Sequence, residues 1–345
     1  MVDSAAIKIE VDLPDETDSS DSPRNLRDVI PAGKGRIDRA EYLARVRRGQ
    51  RSGMPSLMRL LTVEHIGNAD RPAVVCIVGG GPSLTQEVGV LRHLIKRGAK
   101  VLAVNKSHDW LLRRGLRCDY AALLDPKSWV ADYVDLGLSA AKDVRRRAGK
   151  FWTAPKYLIA SQCDDLVIEK FKGREDSYLW HAAAGLGKSE VLKQEFTGEP
   201  WVNVAGASVV GLRAVGIAHR LGFRCMHLFG IDGSMKPPWD TGGKPALYAY
   251  EKPHIDATWR AFEVKLTSGW TRAFMSNHHM ARSVYEFEDS MREWDTQIKA
   301  GKMEPFSIRV HGDPAYSAIA MVAAGMGVHA ETEENERYGK RPLVR

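Results

Sequence analysis

Gly79-Gly80-Gly81-Pro82-Ser83-Leu84 stands directly after the apolar run Ala73–Val78. Glycines let a backbone turn tightly and approach a ligand closely. Proline is tolerated in the first turn of a helix, where its missing N–H costs no hydrogen bond. The free N–H groups of such a turn, with the helix dipole behind them, suit an anion. Gly79, Gly80, Gly81, Pro82, Ser83 and Leu84 are therefore read as a nucleotide-phosphate site; a tight structural turn is the competing reading. The dinucleotide fingerprint needs a glycine at position 84, where Leu84 stands, so NAD binding is disfavoured.

A second set of residues closes apolar runs. Asn105 follows Val101–Val104, Asp125 follows Tyr120–Leu124, and Asp232 follows Cys225–Phe229 within Gly230-Ile231-Asp232. In open α/β sheets, ligands sit outside the carboxyl ends of strands. A carboxylate there holds Mg²⁺, binds a ribose hydroxyl or acts as a base; alternatively it caps a turn. Gly206-Ala207-Ser208 opens a predicted helix, and Ser208 is a natural N-cap in a place where a ligand would also bind. Ala182 to Ser189 imitates a phosphate-binding P-loop, but the short polar-flanked run before it argues against that motif. His254, His278, His279 and His311 gather late in the chain. The adjacent pair His278-His279 diverges by about 100° on a helix and makes a poor metal site.

Those residues need a frame to hold them. Short apolar runs ended by glycine or a polar residue fit strands buried on both faces of a parallel sheet. Strands are predicted at 73–78, 101–104, 120–124, 157–160, 202–204, 225–229 and 307–310. Helices are predicted at about 38–49, 85–97, 108–114, 164–172, 188–196, 208–221, 275–299 and 317–326. Alternating strands and helices predict an α/β fold: a Rossmann-like, mostly parallel sheet with helices on both faces. A helical and loop-rich C-terminal part completes it.

With 345 residues, 44% hydrophobic and 27% charged, the chain has the composition of an ordinary globular protein with a sizeable core. Residues 1–23 read as a disordered acidic tail and 24–70 as a basic, partly helical extension. The nucleotide-binding core is placed at 71–235. Residues 236–330 form a lid or acceptor region with the long helix, and 331–345 a charged tail. The lid carries Trp239, Trp259 and Trp270, which either close over an acceptor or simply pack. The net charge of +7 permits a nucleic-acid partner and supports it only weakly. The basic face of the 38–49 helix is read as solvated rather than phosphate-binding. Four cysteines without a C-x-x-C pair read as small buried residues in a reducing compartment. An acidic start without a signal pattern, and no apolar run long enough to cross a bilayer, predict a cytoplasmic protein.

In their order, Gly79–Leu84, Asn105, Cys118-Asp119-Tyr120 leading to Asp125-Pro126, Gly206-Ala207-Ser208 and Phe229-Gly230-Ile231-Asp232 resemble the MptE-like family. That family is named for the archaeal 6-hydroxymethylpterin diphosphokinase and includes bacterial motility accessory factors. The opening motif and the late Gly-Ile-Asp are also similar to bacterial sialyltransferases of the Campylobacter type. The resemblance covers about 73–235, with looser similarity to about 315. It implies a transferase with a nucleotide donor: ATP with Mg²⁺ for diphosphokinase members, a nucleotide-sugar for sialyltransferase-like ones. A third reading is a binding or assembly protein that kept the fold without the chemistry. By carry-over, Gly79 to Leu84 cradle donor phosphates and Asn105, Gly206, Ala207 and Ser208 line the nucleotide cleft. Asp125 and Asp232 would be catalytic and hold the metal. His254 is the positional candidate for a general base, since histidine titrates near neutral pH. Two features depart from the pattern: Ala207 stands where glycine is frequent, and the segment after Asp232 does not match the sialyltransferase stretch carrying its histidine.

Overall fold

The computed structural model describes residues 9–11, 24–25, 39–63, 73–135, 154–182, 201–204, 209–235, 260–265, 271–312 and 329–332. Its strands are β1 (Ile9–Val11), β2 (Arg24–Asn25), β3 (Val74–Val78), β4 (Lys100–Val104), β5 (Tyr120–Leu123), β6 (Lys156–Ala160) and β7 (Ser177–Ala182). There follow β8 (Asn203–Val204), β9 (Cys225–Phe229), β10 (Arg260–Lys265), β11 (Thr271–Ser276), β12 (Ser307–Val310) and β13 (His329–Thr332). The helices are α1 (Arg39–Arg51), α2 (Leu57–Val63), α3 (Ser83–Gln86), α4 (Val88–Lys96), α5 (Ser107–Arg113), α6 (Asp165–Phe171), α7 (Val210–Arg220) and α8 (His278–Lys299). Two compact units result. The core unit is Arg36–Gly80 with Val88–Leu228; the second is Met1–Gly35 with Gly81–Glu87 and Phe229–Arg345.

In the core unit the strand order is β9-β3-β4-β5-β6-β7-β8. From β3 to β8 every neighbouring pair is parallel, with Val78 beside Ala103, Val104 beside Ala122, Leu123 beside Ile159 and Ala160 beside Trp180. The carboxyl ends of these strands therefore share one edge. Each of β3, β4 and β6 is buried along its last four residues, and β5 along all four, which explains why they read as continuous apolar runs rather than alternating ones. After β8 the chain returns through α7, which Gly222 ends with φ 95°, and lays β9 on the other side of β3. The strand order thus reverses at β3, the kind of switch point beside which α/β sheets bind ligands.

The predicted helix at 38–49 is α1, and α1 and α2 are built into the core unit. Tyr42, Val46, Leu57 and Leu60 are buried, the Tyr42 hydroxyl donates to Ala182 O at 3.0 Å, and Leu179 N donates to Pro55 O at 2.8 Å. The basic face of α1 is not simply solvated, as the sequence suggested. Arg45 Nη1 donates to Gln162 O at 2.9 Å and Arg48 Nη2 to Cys163 O at 3.2 Å, so these guanidiniums brace the turn after β6. The predicted helix at 85–97 is two pieces, α3 and α4, broken at Glu87.

In the second unit β11, β10, β1 and β2 make an antiparallel sheet, and β12 pairs in parallel with β13. Three residues of the expected acidic tail are thus a strand; the rest of 1–23 lies outside the described residues. α8 begins at Asn277, whose side chain accepts from Met280 N, and ends before Gly301, φ 65°. All four cysteines are free, three of them buried. Among the described residues no helix is long and apolar enough to cross a membrane. The predicted helices at 188–196 and 317–326 lie outside the described residues, as do Ala183 to Ser189.

Candidate functional site

Two hydroxyl and amide side chains fix the carboxyl edge of the core unit. Ser107, at the start of α5, is fully buried. Its hydroxyl donates to Val78 O at 2.5 Å and accepts from Val104 N at 3.0 Å, tying the last residue of β3 to the last residue of β4. Asn105 ties β4 to β5: its N–H donates to Ala122 O at 3.0 Å and its Oδ1 accepts from Leu124 N at 3.3 Å. Asn105 holds φ 49°, and among the described residues it alone has a left-handed backbone without being glycine. Asparagine tolerates that region better than most residues, and strain of this kind gathers at functional sites. Gly79 and Gly80 continue directly from β3, Asn105 from β4, and Asp125 stands two residues past β5. Three neighbouring parallel strands therefore present these residues side by side.

Asp125 is half-buried. Its Oδ1 accepts from Lys127 N at 3.1 Å, closing a turn through Pro126. Desolvation raises its pKa above the ordinary carboxylate value, while the Lys127 N–H and ammonium pull it back. With one oxygen held by the turn and the group partly open to solvent, Asp125 is the carboxylate at this edge that would offer its second oxygen to a hydrated Mg²⁺ ion. Among the described residues no cluster of three His, Cys, Asp or Glu side chains exists to enclose a metal.

Asp232 sits differently. In the second unit its Oδ2 accepts from Ser83 N at 2.8 Å and its Oδ1 from Ser83 Oγ at 2.6 Å. Gly81 N donates to Gly230 O at 2.7 Å, and Leu84 N to Gly81 O at 3.2 Å. The start of α3, expected to cradle a phosphate, is thus occupied by the protein's own carboxylate. Burial drives the Asp232 pKa up to about 6 from 3.8, with the two Ser83 hydrogen bonds opposing the rise. Ser83 is 6% exposed and Leu84 fully buried, so this end of the motif faces inward. Gly81 is required here because a Cβ would fall 2.5 Å from Asp232 Cγ. Gly312 is held likewise: its φ is +88° and a Cβ would fall 2.6 Å from Ser83 Cβ. His311 lies flat on Phe229, with ring centroids 4.0 Å apart.

Within Cys118-Asp119-Tyr120, Asp119 belongs to the opposite edge. Its carboxylate accepts from Val101 N at 2.8 Å and pairs with Lys100 at 3.0 Å, clamping the amino ends of β4 and β5. Gly206, Ala207, Ser208 and His254 lie outside the described residues, as do Trp239, Trp259 and Trp270, while His278 and His279 open α8. Sequence reasoning passed over Ser107, whose signal was a serine two residues after a strand-closing asparagine. It also passed over Trp129, an aromatic in the polar stretch after Asp125-Pro126.

A comparison with curated proteins finds no match. Among solved structures the chain is similar to a MAf glycosyltransferase from Magnetospirillum magneticum AMB-1, at 16% identity and a TM-score of 0.51. The likeness covers 88% of this chain and 39% of that one, and at this identity it speaks for the fold alone. The profile of the family described as 6-hydroxymethylpterin diphosphokinase MptE-like matches residues 54–237, more than half of the chain. That range holds Gly79–Leu84, Asn105, Asp125, Gly206–Ser208 and Asp232, and ends before His254. On this match the chain belongs to the MptE-like family.

Proposed function

We propose that the chain is a transferase that takes a nucleotide donor at the carboxyl edge of β3, β4 and β5, with diphosphokinase-type transfer from ATP as its reaction. In that reaction an acceptor hydroxyl oxygen bonds to the β-phosphorus, the bond from that phosphorus to the α-phosphate oxygen breaks, and AMP leaves. The observation that carries the reading is the left-handed Asn105 between the Gly79–Gly80 turn and Asp125, on three adjacent parallel strands. Asn105 and Ser107 supply rigidity: both are fixed to neighbouring strands, so groups at this edge need no rearrangement to meet a ligand. Asp125 would hold Mg²⁺, which when bound offsets charge on the phosphates. Asp232, buried and with both oxygens accepting from Ser83, would brace the 81–84 turn, which leaves the half-buried Asp125 as the carboxylate more open to a metal. His254 remains the candidate to take the acceptor proton.

A second reading is glycosyl transfer from a nucleotide-sugar. It is favoured by the engagement of the Gly81, Ser83 and Leu84 N–H groups within the protein, which leaves the turn fewer donors for a triphosphate. The MAf protein with this fold is a glycosyltransferase. Thermal stability against nucleotides and nucleotide-sugars, with and without Mg²⁺, separates the two. A ligand at about 100 times its Kd stabilises by roughly 2.7 kcal/mol. A rise with ATP and Mg²⁺ supports the diphosphokinase reading, and a rise with a nucleotide-sugar alone supports the second. No rise with any donor refutes both.

A further inference from the structure

We propose that Trp129 is the stacking platform for the heterocyclic base of the donor nucleotide; this rests on the reading of the β3–β5 edge as the donor site. Trp129 is 54% exposed, whereas Trp110 is 3% exposed and Trp180 fully buried. It lies four residues past Asp125, on the short 3₁₀ helix Ser128–Val134. That helix is rigidly seated. Val130 and Val134 are fully buried, and Lys170 Nζ holds both Ala131 O and Asp135 Oδ1. The turn before it is closed by Asp125 Oδ1 and Lys127 N. The indole is therefore presented to solvent by a fixed support and not by a loose loop.

Lys127 places a positive charge at the same turn. Its Nζ lies over the Trp129 ring, 5.6 Å from the centre, so the ammonium covers one face of the indole and the opposite face is the one assigned to the base. An indole face beside an ammonium and a carboxylate matches the parts of a nucleotide: a flat base, anionic phosphates and their counter-ion. Base–aromatic stacking tolerates any base because every base has a π-face. Trp129 thereby binds the ring, Lys127 faces the phosphates, and Asp125 takes the ion.

The test is a calorimetric titration of wild type, Trp129→Ala and Trp129→Phe with ATP, with CTP and with inorganic tripolyphosphate, each with Mg²⁺. Melting curves establish that the variants fold. Trp129→Ala is expected to weaken both nucleotides roughly 5- to 100-fold, Trp129→Phe to recover most of that loss, and tripolyphosphate binding to stay the same. Nucleotide affinity within twofold of wild type in Trp129→Ala overturns the proposal while leaving the donor site standing. Equal wild-type affinity for tripolyphosphate and ATP overturns it as well, since no base is then recognised. If wild type binds no nucleotide, the donor reading itself fails and this proposal falls with it.

Discussion

Replacing Gly81 with alanine perturbs one contact that the fold cannot easily relax. A Cβ there would meet Asp232 Oδ2 first, then Cγ at 2.5 Å and Cβ at 3.0 Å. Real Cβ atoms do not approach so closely, so either the turn or the carboxylate must move. Asp232 is fixed by Ser83 N at 2.8 Å and Ser83 Oγ at 2.6 Å and is buried. Each hydrogen bond to a charged acceptor contributes about 1.5–3 kcal/mol, and stretching both leaves a buried carboxylate poorly satisfied. The expected loss is about 2–4 kcal/mol, or for 345 residues a Tm lower by roughly 3–6 °C. Urea denaturation of wild type, Gly81→Ala, Asp232→Ala and the double variant measures it. In the Asp232→Ala background the same glycine substitution should cost at least about 1 kcal/mol less than in wild type, because the carboxylate is gone and only the Cβ contact at 3.0 Å remains to be relaxed. Gly89→Ala is the control: nothing lies within 4 Å of its Cβ, and the site is in α4, so it should stabilise by about 0.5–1 kcal/mol. A Gly81→Ala protein within about 0.5 kcal/mol of wild type, or equally destabilised in both backgrounds, refutes the reasoning.

Other outcomes follow from the same geometry. Asp232 binds its proton more tightly folded, at about 6, than unfolded, at 3.8. Its contribution to stability is full below pH 4 and is lost as pH rises toward 6, by about 3 kcal/mol; wild type minus Asp232→Asn in pH-dependent unfolding should show that fall. Asn105→Ala combines left-handed strain with loss of the bond to Leu124 N and should cost about 2 kcal/mol by denaturant titration, Asn105→Gly about half as much. Ser107→Ala removes a buried link between two strand ends and should cost about 1–3 kcal/mol in the same assay. Charge reversal at Arg45 and Arg48 should lower Tm, because both cap carbonyls after β6; unchanged Tm with weaker retention on a DNA column would instead mark a nucleic-acid surface.

Much of the core unit is legible in the chain because its strands are buried on both faces. Val74–Val78 and Tyr120–Leu123 read as unbroken apolar runs for that reason, and glycine or a polar residue marks where each stops. The residues after those stops were also legible: Asn105 and Asp125 fall where the strands end. The role of Asp232 was not. Its identity as a strand-end carboxylate is local, whereas its partner Ser83 is 149 residues away, and a single sequence carries no sign of which polar groups burial will pair. The fate of Arg45 and Arg48 was hidden likewise, since a basic helix face looks the same whether it meets water or the carbonyls of a distant turn. The strand Ile9–Val11 is not legible because three residues carry no periodicity, and its antiparallel partner β10 lies about 250 residues away.

The proposed function stands on the β3–β5 edge binding a nucleotide donor through Asp125. The most direct measurement is a calorimetric titration of wild type and Asp125→Ala with ATP, in the presence and absence of Mg²⁺. Wild type is expected to show saturable, Mg²⁺-dependent binding that Asp125→Ala loses while still folding cooperatively, with Tm lowered only by the loss of the bond from Lys127 N. Equal binding by both proteins, or none by wild type to ATP or to nucleotide-sugars, would contradict it.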